Sequence, residues 1–203
     1  MFDKILILSP HTDDGELGCG GSIAKLAEEG KEIYYVAFSD TGKEILKKEV
    51  NESTKILHIK PENVRIFDFK TRHFPEYRQE ILDTLIKLRE EIKPEMVFIP
   101  STKDVHQDHQ VVTSEALRAF KKTALTILGY EEPWNCFTFS TTVFIVLDDK
   151  HIKKKIEAVK KYKSQIDRDY TNEEFIRGLA RTRGTQIGEK FAEAFEIMRW
   201  VMR

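Results

Sequence analysis

Eight residues near the start of the chain, Ser9-Pro10-His11-Thr12-Asp13-Asp14-Gly15-Glu16, contain one histidine and three carboxylates. Far along the chain lies a second cluster, His106-Gln107-Asp108-His109. Imidazoles and carboxylates are the ligands of zinc in hydrolytic sites, where three protein ligands leave one position for water. Zinc lowers the pKa of that water to about 7, and a neighbouring carboxylate can then take its proton. His11 and Asp14 are three residues apart, so a tight turn can aim both inward, and His109 can complete the set. Asp13, between them, can point at the water. Asp108 can accept a hydrogen bond from a ligand imidazole and fix its tautomer. His106, one helical turn from His109, is free to stabilise a developing oxyanion or to protonate a leaving amine. Iron(II) suits the same ligands as zinc. Each half also has a plainer reading. Asp13-Asp14 could be a charged helix cap, and residues 106–109 could be a solvated loop.

What favours a metal centre is where the two clusters fall among the elements. Ile5-Leu6-Ile7-Leu8 reads as a buried strand just before the first cluster, and Met96-Val97-Phe98-Ile99 as another ahead of the second. Between them, helices are expected over about 22–29, 43–57 and 76–92, and strands over 33–38 and 64–67, from apolar spacing and the stops at Gly30 and Pro94. Such alternation predicts a parallel sheet with helices on both faces. The carboxyl edge of such a sheet is where ligands bind. After the second cluster, a helix is expected over 110–121, strands over 123–130 and 137–147, and a Lys-rich helix capped by Asp148 or Asp149 and running through Lys163. A helix over 172–181, a loop over 183–188 and a final segment over 191–202, which suits a strand more than a helix, complete the chain.

The chain has 203 residues, which suits one domain over 1–203. Apolar residues make up 40%, charged residues 33%, and the formal net charge is -1, so an ordered, water-soluble fold is expected. Without a basic face, nucleic acid is not an expected partner. Apolar runs fall short of the roughly 20 residues a membrane span needs. The two cysteines, Cys19 and Cys136, make no disulfide framework, and a reducing cytoplasm is the simplest setting.

Pro10-His11-Thr12-Asp13-Asp14-Gly15-Glu16 resembles the PHxDDxE motif of the PIG-L/LmbE-like metal-dependent N-acetylglucosaminyl deacetylases, and His106-Gln107-Asp108-His109 resembles their HxDH motif. The segments 93–100, Tyr162-Lys163-Ser164-Gln165 and Ala192-Glu193-Ala194-Phe195 are also similar to family features. The resemblance implies a Rossmann-like three-layer sandwich with a mostly parallel sheet. It implies zinc on His11, Asp14 and His109, with Asp13 as general base, Asp108 orienting a histidine and His106 stabilising the oxyanion. The implied reaction is hydrolysis of the acetamide of an N-acetylglucosamine-type conjugate to acetate and a free amine. A departure lies at Gly42-Lys43-Glu44 and Lys47-Lys48, where many members have a glycine-glutamate turn and an arginine. Glu16 is expected to support its loop by hydrogen bonding.

Other residues invite weaker readings. Arg72, after the third strand, could hold a phosphate or carboxylate of a sugar conjugate, and Arg183 could reach the pocket from its loop. Glu132-Pro133-Trp134-Asn135 could line a sugar site, or Trp134 could simply be buried. The glycines at 15, 18, 20 and 21 lack dinucleotide spacing and suit close helix–sheet packing. Residues 150–155 read as a solvated helix face. The expected partner is a small amino-sugar substrate, and self-association into a homo-oligomer is left open. Two alternatives stand beside deacetylation: an amidase on a larger sugar conjugate, and a non-catalytic Rossmann-type sugar or nucleotide binder.

Overall fold

The computed structural model describes residues 2–202. Seven strands form a single sheet in the order β3-β2-β1-β4-β5-β7-β6. They are β1 (Lys4–Ser9), β2 (Glu32–Ala37), β3 (Val64–Ile66), β4 (Met96–Pro100), β5 (Thr126–Tyr130), β6 (Val143–Leu147) and β7 (Phe191–Trp200). β1 to β5 pair in parallel, whereas β7 pairs antiparallel with both β5 and β6. The helices are α1 (Asp14–Glu28), α2 (Glu44–Ile56), α3 (Arg78–Ile92), α4 (Gln107–Phe120), α5 (Asp149–Val159) and α6 (Glu173–Thr185).

Period-two alternation of strand side chains divides the interior into two layers. Ile5, Ile7, Tyr35, Phe98 and Tyr130 meet Ile23, Val50 and Ala158 of α1, α2 and α5 on one face. Leu6, Leu8, Phe38, Val97 and Ile99 meet Ile81, Leu85, Val112 and Phe120 of α3 and α4 on the other. The result is the expected three-layer α/β sandwich. No described helix is long and apolar enough to cross a membrane.

Several boundaries differ from those expected. α1 begins at Asp14 rather than Ser22, with one non-helical residue, Cys19, inside it. Glycine makes this early start workable: a Cβ at Gly15 would sit 2.7 Å from the Tyr35 ring, and one at Gly18 would collide with Tyr130. α4 starts at Gln107, so His109 lies in its first turn and not in a loop. Residues 137–142 are irregular and Phe137 is exposed, so only Val143–Leu147 of that stretch pairs as a strand. Residues 183–185 belong to α6 and not to a loop. Lys155 is not on a solvated face; it is buried and its Nζ lies 2.6 Å from Glu193 Oε1.

The strand order reverses direction between β1 and β4. Chain leaving the carboxyl ends of those neighbours diverges to opposite faces and opens a crevice there. The β1–α1 turn and the first residue of α1 carry His11 to Asp14, and the segment from the end of β4 into the first turn of α4 carries Asp104 to His109.

Candidate metal centre

Three atoms from the ends of the two strand–helix connections form a nearly equilateral triangle. His11 Nδ1 lies 3.2 Å from Asp14 Oδ2, His109 Nε2 lies 3.3 Å from the same oxygen, and the two nitrogens are 3.2 Å apart. Tetrahedral zinc with bonds of about 2.0–2.1 Å places neighbouring ligand atoms roughly 3.3–3.4 Å apart. The donor set and the triangle therefore fit such an ion without rearrangement.

A carboxylate lies behind each imidazole. His11 Nε2 is 3.1 Å from Asp108 Oδ2, and His109 Nδ1 is 2.8 Å from Asp104 Oδ2. Carboxylates accept, so these nitrogens carry the protons, and in the neutral rings the opposite nitrogens keep their lone pairs for the triangle. Asp108 is itself fixed by the amides of Arg72 at 2.6 Å and Phe74 at 3.2 Å. Asp104 gives no signal in sequence beyond its place in a polar loop. Only the early start of α4 puts His109 over it.

Charge in the cluster is mutually balanced. Burial disfavours the cationic form of both imidazoles, but Asp14 and the carboxylates behind them prevail, raising His11 to about 9 and His109 to about 10. Asp14 is buried too, and the two histidines hold it well below the usual carboxylate range. Burial and the adjacent Asp14 push Asp13 up to about 6. Asp13 is the N-cap of α1, its carbonyl accepting from the Leu17 amide, and its side chain makes no capping hydrogen bond. It faces the cleft with free lone pairs.

His106 is the N-cap of α4, its Nδ1 accepting from the Asp108 amide at 3.2 Å. The neutral ring therefore bears its proton on Nε2. Its ring centre lies 5.0 Å from that of His11 and 4.7 Å from that of His109. Burial and the two neighbouring histidines lower its pKa, favouring this neutral form. Two other groupings are close enough to share an ion: His11 with His106 and His109, and Asp14 with His109 and Glu132. The first substitutes the Asp14 carboxylate with a ring already engaged as a cap. In the second, Glu132 is fully buried, and burial and Asp14 push its carboxyl well above the usual range. Sequence reading assigned Glu132 no part beyond a segment near a sugar site.

Glu16 is fully buried and accepts from Ser53 Oγ at 2.6 Å and from the hydroxyl of Tyr35. Tyr162 OH lies 2.8 Å from Glu16 Oε1 and 2.6 Å from Thr12 O. The loop between His11 and Asp13 is thus tied to β2, α2 and the segment after α5, so Glu16 supports its loop as expected. Burial carries Glu16 up to about 7.

The triangle floors an open cleft of about 380 Å³ lined also by Arg72, Trp134, Asn135, Arg168 and Tyr170. Arg183 is not part of this cleft. Its guanidinium binds Glu131 at 2.6 and 2.7 Å, because α6 continues through it and turns it toward β5. Lys47 pairs with the buried Asp40 at 3.4 Å. Burial pushes the Cys19 thiol well up, leaving it a packing residue.

The chain is similar to known proteins over most of its length. The uncharacterized deacetylase YaiS of Escherichia coli (strain K12) is 31% identical over 168 residues, covering 79% of this chain and 90% of that protein. The diacetylchitobiose deacetylase of Thermococcus kodakarensis is 25% identical, covering 96% of this chain and 83% of its own. Among solved structures, the N,N'-diacetylchitobiose deacetylase of Pyrococcus horikoshii, complexed with its inhibitor MPG, superposes with a TM-score of 0.81 at 25% identity. It covers 97% of this chain and 84% of that one. The family described as PIG-L: GlcNAc-PI de-N-acetylase matches residues 6–120, a span that holds both clusters, and the chain belongs to that family.

Proposed function

We propose that the protein is a zinc-dependent hydrolase that removes the acetyl group from an N-acetylated amino sugar of the N-acetylglucosamine type, releasing acetate and a free amine. The observation that carries this reading is the triangle of His11, Asp14 and His109 with an unbonded Asp13 carboxylate beside it. Zinc on those three residues would supply an acidified water and a positive charge near the acyl oxygen. Iron(II) would serve the same ligands.

The chain's own groups account for the proton transfers. Asp13, at about 6, is mostly ionised at neutral pH and takes the proton of the attacking water. His106 presents Nε2–H to the cleft and donates to the oxygen that gains charge as the carbonyl becomes tetrahedral. Asp13, now protonated, returns the proton to the departing nitrogen, which leaves as the amine. Asp108 and Asp104 hold the imidazoles in place throughout.

The test is a screen of N-acetylglucosamine conjugates for free amine, with and without a chelator, alongside elemental analysis. Chelator-sensitive amine release with metal bound supports the reading; release unaffected by complete metal removal sinks it.

A further inference from the structure

A second cavity lies behind one wall of the metal cleft. Its lining includes Leu17 of α1, Phe175, Ile176 and Ala180 of α6, and Ala192 and Ala194 of β7. The charged groups that also reach it are matched to one another, Arg183 to Glu131 and Lys155 to Glu193. The surface it offers a guest is therefore hydrocarbon. Its open volume is about 20 Å³, the room of a single water molecule.

Two residues, Trp134 and Tyr170, line both this cavity and the metal cleft. Their rings are stacked, with centroids 3.9 Å apart and planes 13° off parallel, and Trp134 meets Phe175 at 6.0 Å. Arg168 donates to the Tyr170 hydroxyl and so steadies the stack. The pair forms a partition between the two spaces, close to the chemistry. Asp13 lies on the cleft side, and its carbonyl accepts from the amide of Leu17, which lines the cavity. Polarity decides which end of a substrate meets the partition. Apart from Leu46, the other described side chains around the cleft are polar or charged. An N-acylated amino sugar is polar everywhere except at the hydrocarbon end of its acyl group, which is the part that suits an aromatic wall. A pyranose ring is far too large for the space behind that wall, whereas the end of a short chain is not.

We propose that the Trp134–Tyr170 stack sets the length of the acyl group the enzyme accepts, by closing off a hydrocarbon-lined cavity that would otherwise take a longer chain. Acetyl fits in front of the stack, and butyryl runs into it. This rests on the cleft being the substrate site of the proposed deacetylase. Calorimetry with zinc-loaded Asp13→Asn protein compares N-acetylglucosamine with N-butyrylglucosamine, and the acetyl sugar should bind at least about 10-fold more tightly. Adding Tyr170→Ala should move that ratio about 10-fold or more towards the butyryl sugar, and Trp134→Leu, which opens the same wall from its other ring, should move it in the same direction. Tyr170→Phe keeps the stack and should leave the ratio in place. Ala180→Leu, added to Tyr170→Ala, refills the cavity from its own lining and should restore the acetyl preference. The butyl glycoside of N-acetylglucosamine carries the same hydrocarbon at the other end of the sugar and should gain nothing from Tyr170→Ala. Ratios unmoved in both opened variants, a gain that Ala180→Leu does not reverse, or an equal gain for the butyl glycoside overturns the proposal. Amine release by protein that keeps Asp13 and carries the same substitutions separates the two ideas. Release from the acetyl sugar with an unmoved binding ratio overturns the length selection alone. A moved binding ratio with no release from any probe upholds it and overturns deacetylation.

Discussion

Two buried ionic clusters flank α1, and they differ in how fully their donors and acceptors are matched. On one side, Glu193 receives the amides of Gly21 and Ser22, the Ser22 hydroxyl and the Lys155 ammonium, two donors to each oxygen. Nothing is left over to bind a ligand. On the other side, Asp14, His11 and His109 aim their lone pairs at a common point, and Asp13 has no partner among the described residues. Burial and charge are common to both. Saturation marks the first as a staple joining α1, α5 and β7, and convergence marks the second as a place where something binds.

The largest expected effect tests the convergent cluster. Asp14→Ala or His109→Ala should drop bound metal from about one ion per chain to near zero and reduce amine release to background, as read by elemental analysis. Full metal content in either variant would break the distinction drawn here. Asp13→Asn should keep its metal and lose roughly 10²–10⁴ in kcat; near-normal turnover would remove Asp13 from the chemistry. Glu193→Ala should lower stability by about 3–5 kcal/mol by leaving Lys155 buried without its partner, measured by denaturant unfolding, with metal content of the folded protein unchanged. Replacing the pair together, Lys155→Met with Glu193→Gln, should recover part of that loss, because the Gln oxygen still accepts from the Gly21 and Ser22 donors. A metal deficit in the Glu193 variant would mean that the staple also shapes the site.

The smallest expected effect is in pH. His11 and His109, raised to about 9 and 10 in the metal-free chain, bind protons more tightly folded than unfolded. Their contribution to stability is fully present below about 6.5 and is lost as pH rises through 9 to 10. Metal requires the neutral rings, so its apparent affinity should climb over the same window. The melting temperature of metal-free protein should therefore fall by several degrees from pH 7 to 10, and that of the loaded protein should fall less. Parallel curves would show that the imidazoles and Asp14 are not electrostatically linked.

Much of this was legible in the sequence because strands buried on both faces are apolar throughout, as at residues 5–8 and 96–99. Their loops then bring histidines and aspartates to one edge. The less legible parts depended on position along a helix or on distant segments. The helix expected over 22–29 misses the start of α1, which lies eight residues before Ser22 among glycines. Lys155 is one lysine in a run of them, and nothing local marks it as the one facing Glu193. Asp104 and Arg168 acquire meaning only when α4 and the segment after α5 fold against the first loop. Arg183 misled because its neighbouring glycines suggested a loop where α6 continues.

The tie from Tyr162 to Thr12 and Glu16 has a consequence for chain synthesis. By the time residue 120 has been made, both motifs exist, along with every side chain of the triangle. The hydroxyl that clamps the first loop is still forty-two residues from being translated, and Glu193 comes later still. The nascent chain thus carries the complete set of ligands before it can hold them still. A fragment cut at the end of α4 should take up metal weakly or not at all, although it contains both recognisable motifs.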